Sequence, residues 1–375
     1  MPESRSSAAP QRGTSPGHIL LIVAAAGLFF FAAGRLIRPL FFDPQSERTA
    51  SPAGTARFDL TDLQVERLRI ESGGVAKDAI VALDETVTNL ATGIEHLASD
   101  DRIVLVTAGD DRVGYPIRML RVHEIINDRI GGVDLSVVYC PLCDSVSVIE
   151  RQDGPAVLAG GFGVSGQLFE SNILMYDRTS DGLWSQVQGK AMSGPHAGER
   201  LRHLTGWSIE RFGAIVDRLP DTRIAVHADD AMKDVYELDP YRGYFANDSL
   251  IFNVSHRDPR LPIKARVLGV VDGDVPRAFE LGTIARLGVA TDGVEPTPGR
   301  LDLTLSGGRL TAEVDLDADG VPSRVTVIDA PADAVVVHSF WFAWAGSHPK
   351  TDLVADPSLL ATVVPPPLAG PPGPS

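Results

Sequence analysis

LSVVYCPLCDSVSVIE, residues 135–150, is the stretch from which the chain is best read. Val137 and Val138 lead as a β-branched run into Cys140-Pro141-Leu142-Cys143. Beyond it Ser145-Val146-Ser147-Val148-Ile149 alternates, so the cysteine pair lies in a turn between two strands. In the thioredoxin type the pair instead opens a helix, whose N-terminal dipole lowers a thiol pKa. Strand, Cys-Pro-x-Cys, strand is the layout of a metal knuckle, which aims two sulfurs at one ion, and Pro141 stiffens the loop. A knuckle ordinarily has glycine after its second cysteine. Asp144 stands there, one of the residue types that best tolerates the left-handed region.

Downstream, Gly161-Phe162-Gly163-Val164-Ser165-Gly166 matches GxGxxG. The dinucleotide fingerprint needs a helix after it, and ILMYDRTSDGLWSQ (173–186) reads as a hairpin, so the glycines read as a turn and no nucleotide is expected. Upstream, Pro116 opens a predicted helix over 116–130, PIRMLRVHEIINDRI, stopped by Gly131-Gly132. On it His123 and Asn127 lie four apart, and Glu124 and Asp128 form a second such pair. His123 is thus a candidate third ligand, with Glu124 or Asp128 to orient it; the plainer alternative is that these groups brace a neighbouring strand. FNVSHRD (252–258) adds His256 beside Asp258, with Arg257 as a candidate anion clamp. The candidate metal set is therefore Cys140, Cys143, His123 and His256, for Zn or Cu, with Glu124, Asn127, Asp128, Trp184 and Gln186 as the surrounding polar cluster. A helix is also predicted over 204–219, and the aromatic segment 239–245 reads as surface packing.

Taken together, YCPLC, FGVSG, MYDRTSDGLWSQ and SHRD, with Ser72-Gly73-Gly74, Lys77-Asp78 and HEIIND (123–128), resemble the prokaryotic family known as domain of unknown function 3179, over residues 72–351. Asp144 departs from the glycine usual there, and Val122 from a tryptophan. The family has no settled activity, so the resemblance implies kinship and no chemistry.

The chain has 375 residues, a net charge of −15 and 2 cysteines. That balance should repel nucleic acid and anionic lipid, and two cysteines make no disulfide framework. Residues 1–17 are Ser, Pro, Gly and Arg-rich and expected to be disordered. The uncharged run 19–34, ILLIVAAAGLFFFAAG, extends to Phe42 if Arg35 and Arg38 snorkel, and is expected to be a single transmembrane anchor over 18–42. Cleavage as a signal peptide after the small residues Ala32 and Gly34 is the alternative. Either reading puts the body outside the cytoplasm, with the membrane as its partner through the N-terminal helix. Residues 43–60 read as a linker, and the Pro-rich 364–375 as a disordered tail.

The chain also reads as one pattern written twice. RIVLVTAGD (102–110) followed by Tyr115 is matched by RVLGVVDGD (266–274) followed by Phe279, and IVDRLPDT (215–222) by WAGSHPKT (344–351). The fold class expected is α+β, mainly antiparallel β with a few helices, in two related lobes, 61–229 and 230–363, behind the N-terminal transmembrane helix. Three functions stand side by side: a metal site at the cysteine pair, thiol–disulfide exchange by the same pair, and a non-catalytic binding or scaffolding module with a structural disulfide.

Overall fold

The structure is a computed structural model and describes residues 58–151, 156–229, 231–291 and 293–356. The expected anchor at 18–42 and the tail at 364–375 lie outside these residues. No helix among the described residues is long and apolar enough to cross a membrane.

Strands dominate, mostly antiparallel, with a few short helices. The first hairpin pairs Arg102–Ala108 with Asp111–Pro116, and the second pairs Arg266–Asp272 with Val275–Glu280. In each, the continuous apolar run forms a strand buried along most of its length, as in sheets covered on both faces. Each hairpin is followed by a seven-residue helix, Ile117–His123 or Leu281–Leu287. Each half then runs through a three-stranded meander. The first is Ile125–Ile130, Val133–Cys140 and Ser145–Glu150; the second is Arg300–Leu305, Gly308–Leu316 and Pro322–Asp329. Each half closes with strand, helix, strand: Trp207–Arg211, Phe212–Arg218 and Arg223–Val226, then Val335–Phe340, Trp341–Ser347 and Asp352–Val354.

The pairing follows one order in both halves. Trp207–Arg211 runs antiparallel to Arg102–Ala108, and Arg223–Val226 parallel to Asp111–Pro116. Val335–Phe340 and Asp352–Val354 stand in the same relations to the second hairpin. The meanders, however, cross over. The first meander joins the sheet of the second hairpin through His338↔Val146, and the second joins the sheet of the first through Ile209↔Val325. Both nine-stranded sheets therefore take strands from either side of residue 230. A core that includes Val104, Tyr115, Val137, Leu268, Phe279 and Val325 is common to the two. A third sheet of five strands holds Ile70–Ser72, Phe162–Phe169, Asn172–Asp177, Leu183–Ser185 and Lys190–Ala191.

Three local expectations are corrected. The helix over 116–130 ends at His123: Glu124 takes φ +58°, and Ile125–Ile130 pairs as a strand with Val133–Cys140, where its β-branched residues pack. The helix over 204–219 is confined to Phe212–Arg218, because Trp207 to Arg211 alternates into a strand between two neighbours. The glycine pattern 161–166 is not a free turn; most of it lies in the strand Phe162–Phe169. There Gly163 is needed for packing, since a Cβ would sit 2.4 Å from ring atoms of Tyr176 on the paired strand.

Candidate functional site

The strand Val133–Cys140 ends on the first cysteine, and Ser145–Glu150 begins after Asp144. The turn closes with Cys143 N–H donating to Cys140 O at 3.2 Å, and Asp144 takes φ +46°. Both cysteines are free thiols with no solvent exposure. Asp144 explains itself by what it holds. Its carboxylate accepts from Arg102 Nη1 at 2.7 Å, Arg266 Nε at 2.8 Å and the Tyr139 hydroxyl at 3.1 Å. The two arginines occupy the matched first positions of the two hairpins. Burial alone would raise the Asp144 carboxyl, but Arg102, Arg266 and His338 outweigh it and hold it well below the usual range. His338 Nδ1 donates to Asp144 O at 2.8 Å, and Phe340 N–H to Cys143 O at 2.8 Å, tying the turn to the second half.

Around the sulfurs the packing is dry and polar by turns. Burial first, then hydrogen bonding with Cys140, pushes the Cys143 thiol well above its ordinary value, while the Asn172 amide acts the other way. The thiol donates to Ser171 O at 3.0 Å. Ser145 Oγ donates to Gln186 Oε1 at 2.7 Å and accepts from Asn172 Nδ2 at 2.9 Å; Gln186 Nε2 returns to Val138 O at 3.0 Å. Asn172 Oδ1 is buried, and no hydrogen-bond donor faces it among the described residues. Over the turn lies part of the segment between the two halves: Tyr244 donates to Leu142 O at 2.9 Å, and Tyr241, Tyr244 and Val254 join the apolar cluster that contains both cysteines. Lys264 holds that cover down through the carbonyls of Tyr244, Asn247 and Ser249.

Glu124 borders the same region: its carbonyl accepts from the N–H of Tyr139, the residue before Cys140, at 2.8 Å. Burial raises its carboxyl from 4.5 to about 8. The folded form thus favours the protonated acid, so this group's contribution is full below about pH 4.5 and is lost as pH rises through about 8. Glu124→Gln should therefore stabilise the protein by on the order of 3 kcal/mol near pH 8 and change little near pH 5. Urea midpoints at the two pH values check it; an equal effect at both would mean that the acid does not titrate in this range.

The other sequence candidates disperse. His123 donates from Nδ1 to Val81 O at 2.8 Å and accepts from the Tyr236 hydroxyl at Nε2, 2.7 Å, so both nitrogens are engaged with groups outside the cysteine turn. Among the described residues no group of three or more His, Cys, Asp and Glu is arranged to hold a metal ion. His256 is half-buried beside Asp258, whose carboxylate is taken by Arg260. Asn127 pins the edge of the third sheet, accepting from Phe162 N–H at 3.0 Å and Ser136 Oγ at 2.7 Å. Asp128 accepts from Thr86 and Tyr115, and Trp184 Nε1 donates to Asp177 at 3.1 Å. Of that polar set Gln186 is bonded to Ser145 beside the cysteine turn, Asn127 to Ser136 farther back on the first cysteine strand, and the Glu124 carbonyl to Tyr139 N–H. Sequence reading missed Ser145, Asn172, Tyr244 and His338. Arg102 and Arg266 were visible as a matched pair, but not as partners of Asp144.

The corresponding turn of the second meander is plain. Asp317-Ala318-Asp319-Gly320 closes it, with Asp317 Oδ1 accepting from Asp319 N–H and Val321 N–H, and residues 318–320 are exposed. Its Asp317 pairs with Arg211, which faces Arg102 in register.

A family model described as Protein of unknown function (DUF3179) matches residues 77–351. No curated protein matches the chain, and no solved structure matches it.

Proposed function

The chain belongs to the DUF3179 family of proteins of unknown function, and from that premise we propose a membrane-tethered extracytoplasmic protein whose Cys140–Cys143 turn seats a soft metal ion on two thiolates, Cu(I) in preference to Zn(II). One observation carries the reading. The second meander closes the same hairpin with an exposed Asp-Ala-Asp-Gly turn, so the strand pairing does not require a buried cysteine pair. The donor set favours Cu(I): thiolates suit that ion, which is content with two of them, whereas a zinc site ordinarily takes four ligands. Thiol–disulfide exchange is less well supported, because both sulfurs are closed off from a partner disulfide and a strand, not a helix N-terminus, follows the pair.

The purified full chain, reduced and loaded anaerobically with Cu(I), is expected to retain one ion per chain against a competing chelator. Cys140→Ser and Cys143→Ser should each lose it, and His123→Ala should keep it. Retention by both serine variants, or none by the wild type, would leave the pair as a structural turn held by the Ser171 carbonyl. For the tether, a C-terminal reporter that works only in the cytoplasm should stay silent. The matched pairing of the two halves further supports an internal duplication, in which one copy gained the cysteine turn and the third sheet.

A further inference from the structure

We propose that residues 240–251 are a hinged cover over the Cys140–Cys143 turn, which opens while both large sheets stay intact and admits small solutes to the sulfurs. Lys264 is its latch. As an entry route for a metal ion the cover rests on the metal reading above; as a movement of the chain it does not.

Both thiols have no solvent exposure, so something must move before any solute reaches them. Most walls of the turn are tied to strands. Asp144 is held by Arg102 and Arg266, each the first residue of a strand, and Phe340 N–H, at the end of another, donates to Cys143 O. Gln186 Nε2 crosses to Val138 O, and Ser171 turns the hairpin between Phe162–Phe169 and Asn172–Asp177. The cover is different. Among the described residues no strand forms between Val226 and Arg266. The main-chain pairs of the cover are local, Arg242 N–H to Asp239 O and Phe245 N–H to Tyr241 O. It meets the turn through the Tyr244 hydroxyl, which donates to Leu142 O at 2.9 Å, and through apolar contact.

Its two faces differ as those of a door do. Tyr241 and Tyr244 are buried against the turn, with Phe245, Leu250 and Ile251 partly buried beside them, while Arg242, Gly243 and residues 246–249 are exposed. Both ends are pinned just outside it. Arg121 pairs with Asp239 at 2.9 Å and donates to Tyr236 O; Ser171 Oγ donates to Phe252 O at 3.3 Å, and Ser255 N–H to Glu170 Oε2 at 2.7 Å. A segment with few main-chain ties between firm ends opens locally, at less cost than global unfolding. Lys264 Nζ closes it from the flank, donating to the carbonyls of Tyr244, Asn247 and Ser249 and lying 3.5 Å from the centre of the Tyr244 ring. Ile263 O and Ala265 O on either side accept from Phe342 N–H and Trp341 N–H, so the latch stays with the body when the cover leaves. Asn247 bonds Gly243 O and Ser249 N–H within the cover, which therefore moves as one piece.

The test is alkylation of the metal-free, reduced full chain by iodoacetamide at fixed pH, read by mass spectrometry, at urea concentrations below the unfolding transition. Opening so short a segment uncovers little surface. The logarithm of the labelling rate should therefore rise with urea at less than about one-third of the slope of global unfolding. Lys264→Met keeps the apolar stem and loses the three hydrogen bonds; it should speed labelling about tenfold and keep the small slope. Wild-type labelling that follows the full slope of global unfolding, or a rate unchanged in Lys264→Met, overturns the cover. The two readings fail separately: a chain that labels as expected but retains no Cu(I) keeps the cover and loses the metal site.

Discussion

Acidified from neutrality, the protein is expected to unfold cooperatively between about pH 6 and pH 4, well above the range in which its carboxylates alone would drive unfolding. Three buried imidazoles are the main cause. His123, His203 and His338 are each no more than 5% exposed, and burial lowers each from 6.5 to about 4; the half-buried His348 is lowered in the same way and adds to them. A histidine whose folded pKa is depressed stabilises the fold above its unfolded value and loses that contribution as pH falls through the window from 6.5 to about 4. Each is worth on the order of 3 kcal/mol at the acid end, against a total stability of roughly 5–15 kcal/mol. Glu124 works in the other direction, its acid form being favoured as pH falls from about 8, and it offsets about one of the three. Circular dichroism along a pH series measures the midpoint. His203→Gln removes one titrating ring and should move the midpoint to lower pH. A fold that survives intact to about pH 3 would mean that these rings accept protons without leaving their sites.

Asp144→Ala is the substitution with the largest expected cost. Its carboxylate is fully buried, and both guanidinium partners are about one-quarter to one-third exposed, at 27% and 30%. Breaking a buried ion pair costs roughly 3–5 kcal/mol, and the partial hydration of the arginines argues for the lower end, about 3 kcal/mol. Alanine also keeps the strain of the left-handed backbone at φ +46°. Asp144→Gly separates the two terms: it relieves the backbone by about 1 kcal/mol while losing the same ion pairs, so it should fall between wild type and alanine. Urea denaturation of the three proteins gives the order. Alanine within about 0.5 kcal/mol of wild type would show that water replaces Asp144 at both arginines.

What the sequence made legible was local. The cysteine turn, the hairpin 172–185 and both Arg-led hairpins announce themselves through β-branched runs broken by Gly, Asp and Ser. The errors at 116–130 and 204–219 share a cause. Ile117, Leu120, Ile125 and Ile130 fit a helical stripe as well as a helix followed by a strand, and the break falls on Glu124, a residue type that does not signal a left-handed turn. The candidate cluster was half legible. Cys140, Cys143 and Gln186, which the fold brings together, are residues that chemistry marks in the sequence. Tyr244 and Asn172 are not, because a tyrosine 101 positions after Cys143 and an asparagine in a hairpin acquire meaning only when long-range packing brings them to the turn. His123 was drawn to the cysteines by an assumed helix of twice its real length.

The crossing of the meanders bears on how the polypeptide reaches this state at all. Ser145–Glu150 stays without one neighbour until Val335–Phe340 has been synthesised, and Trp207–Arg211 waits in the same way for Pro322–Asp329. Neither large sheet can be finished during translation of the first two-thirds of the chain. High contact order of this kind makes for slow folding, with bare strand edges exposed meanwhile to other chains. A fragment stopped at residue 229 should therefore aggregate and not behave as a small stable module.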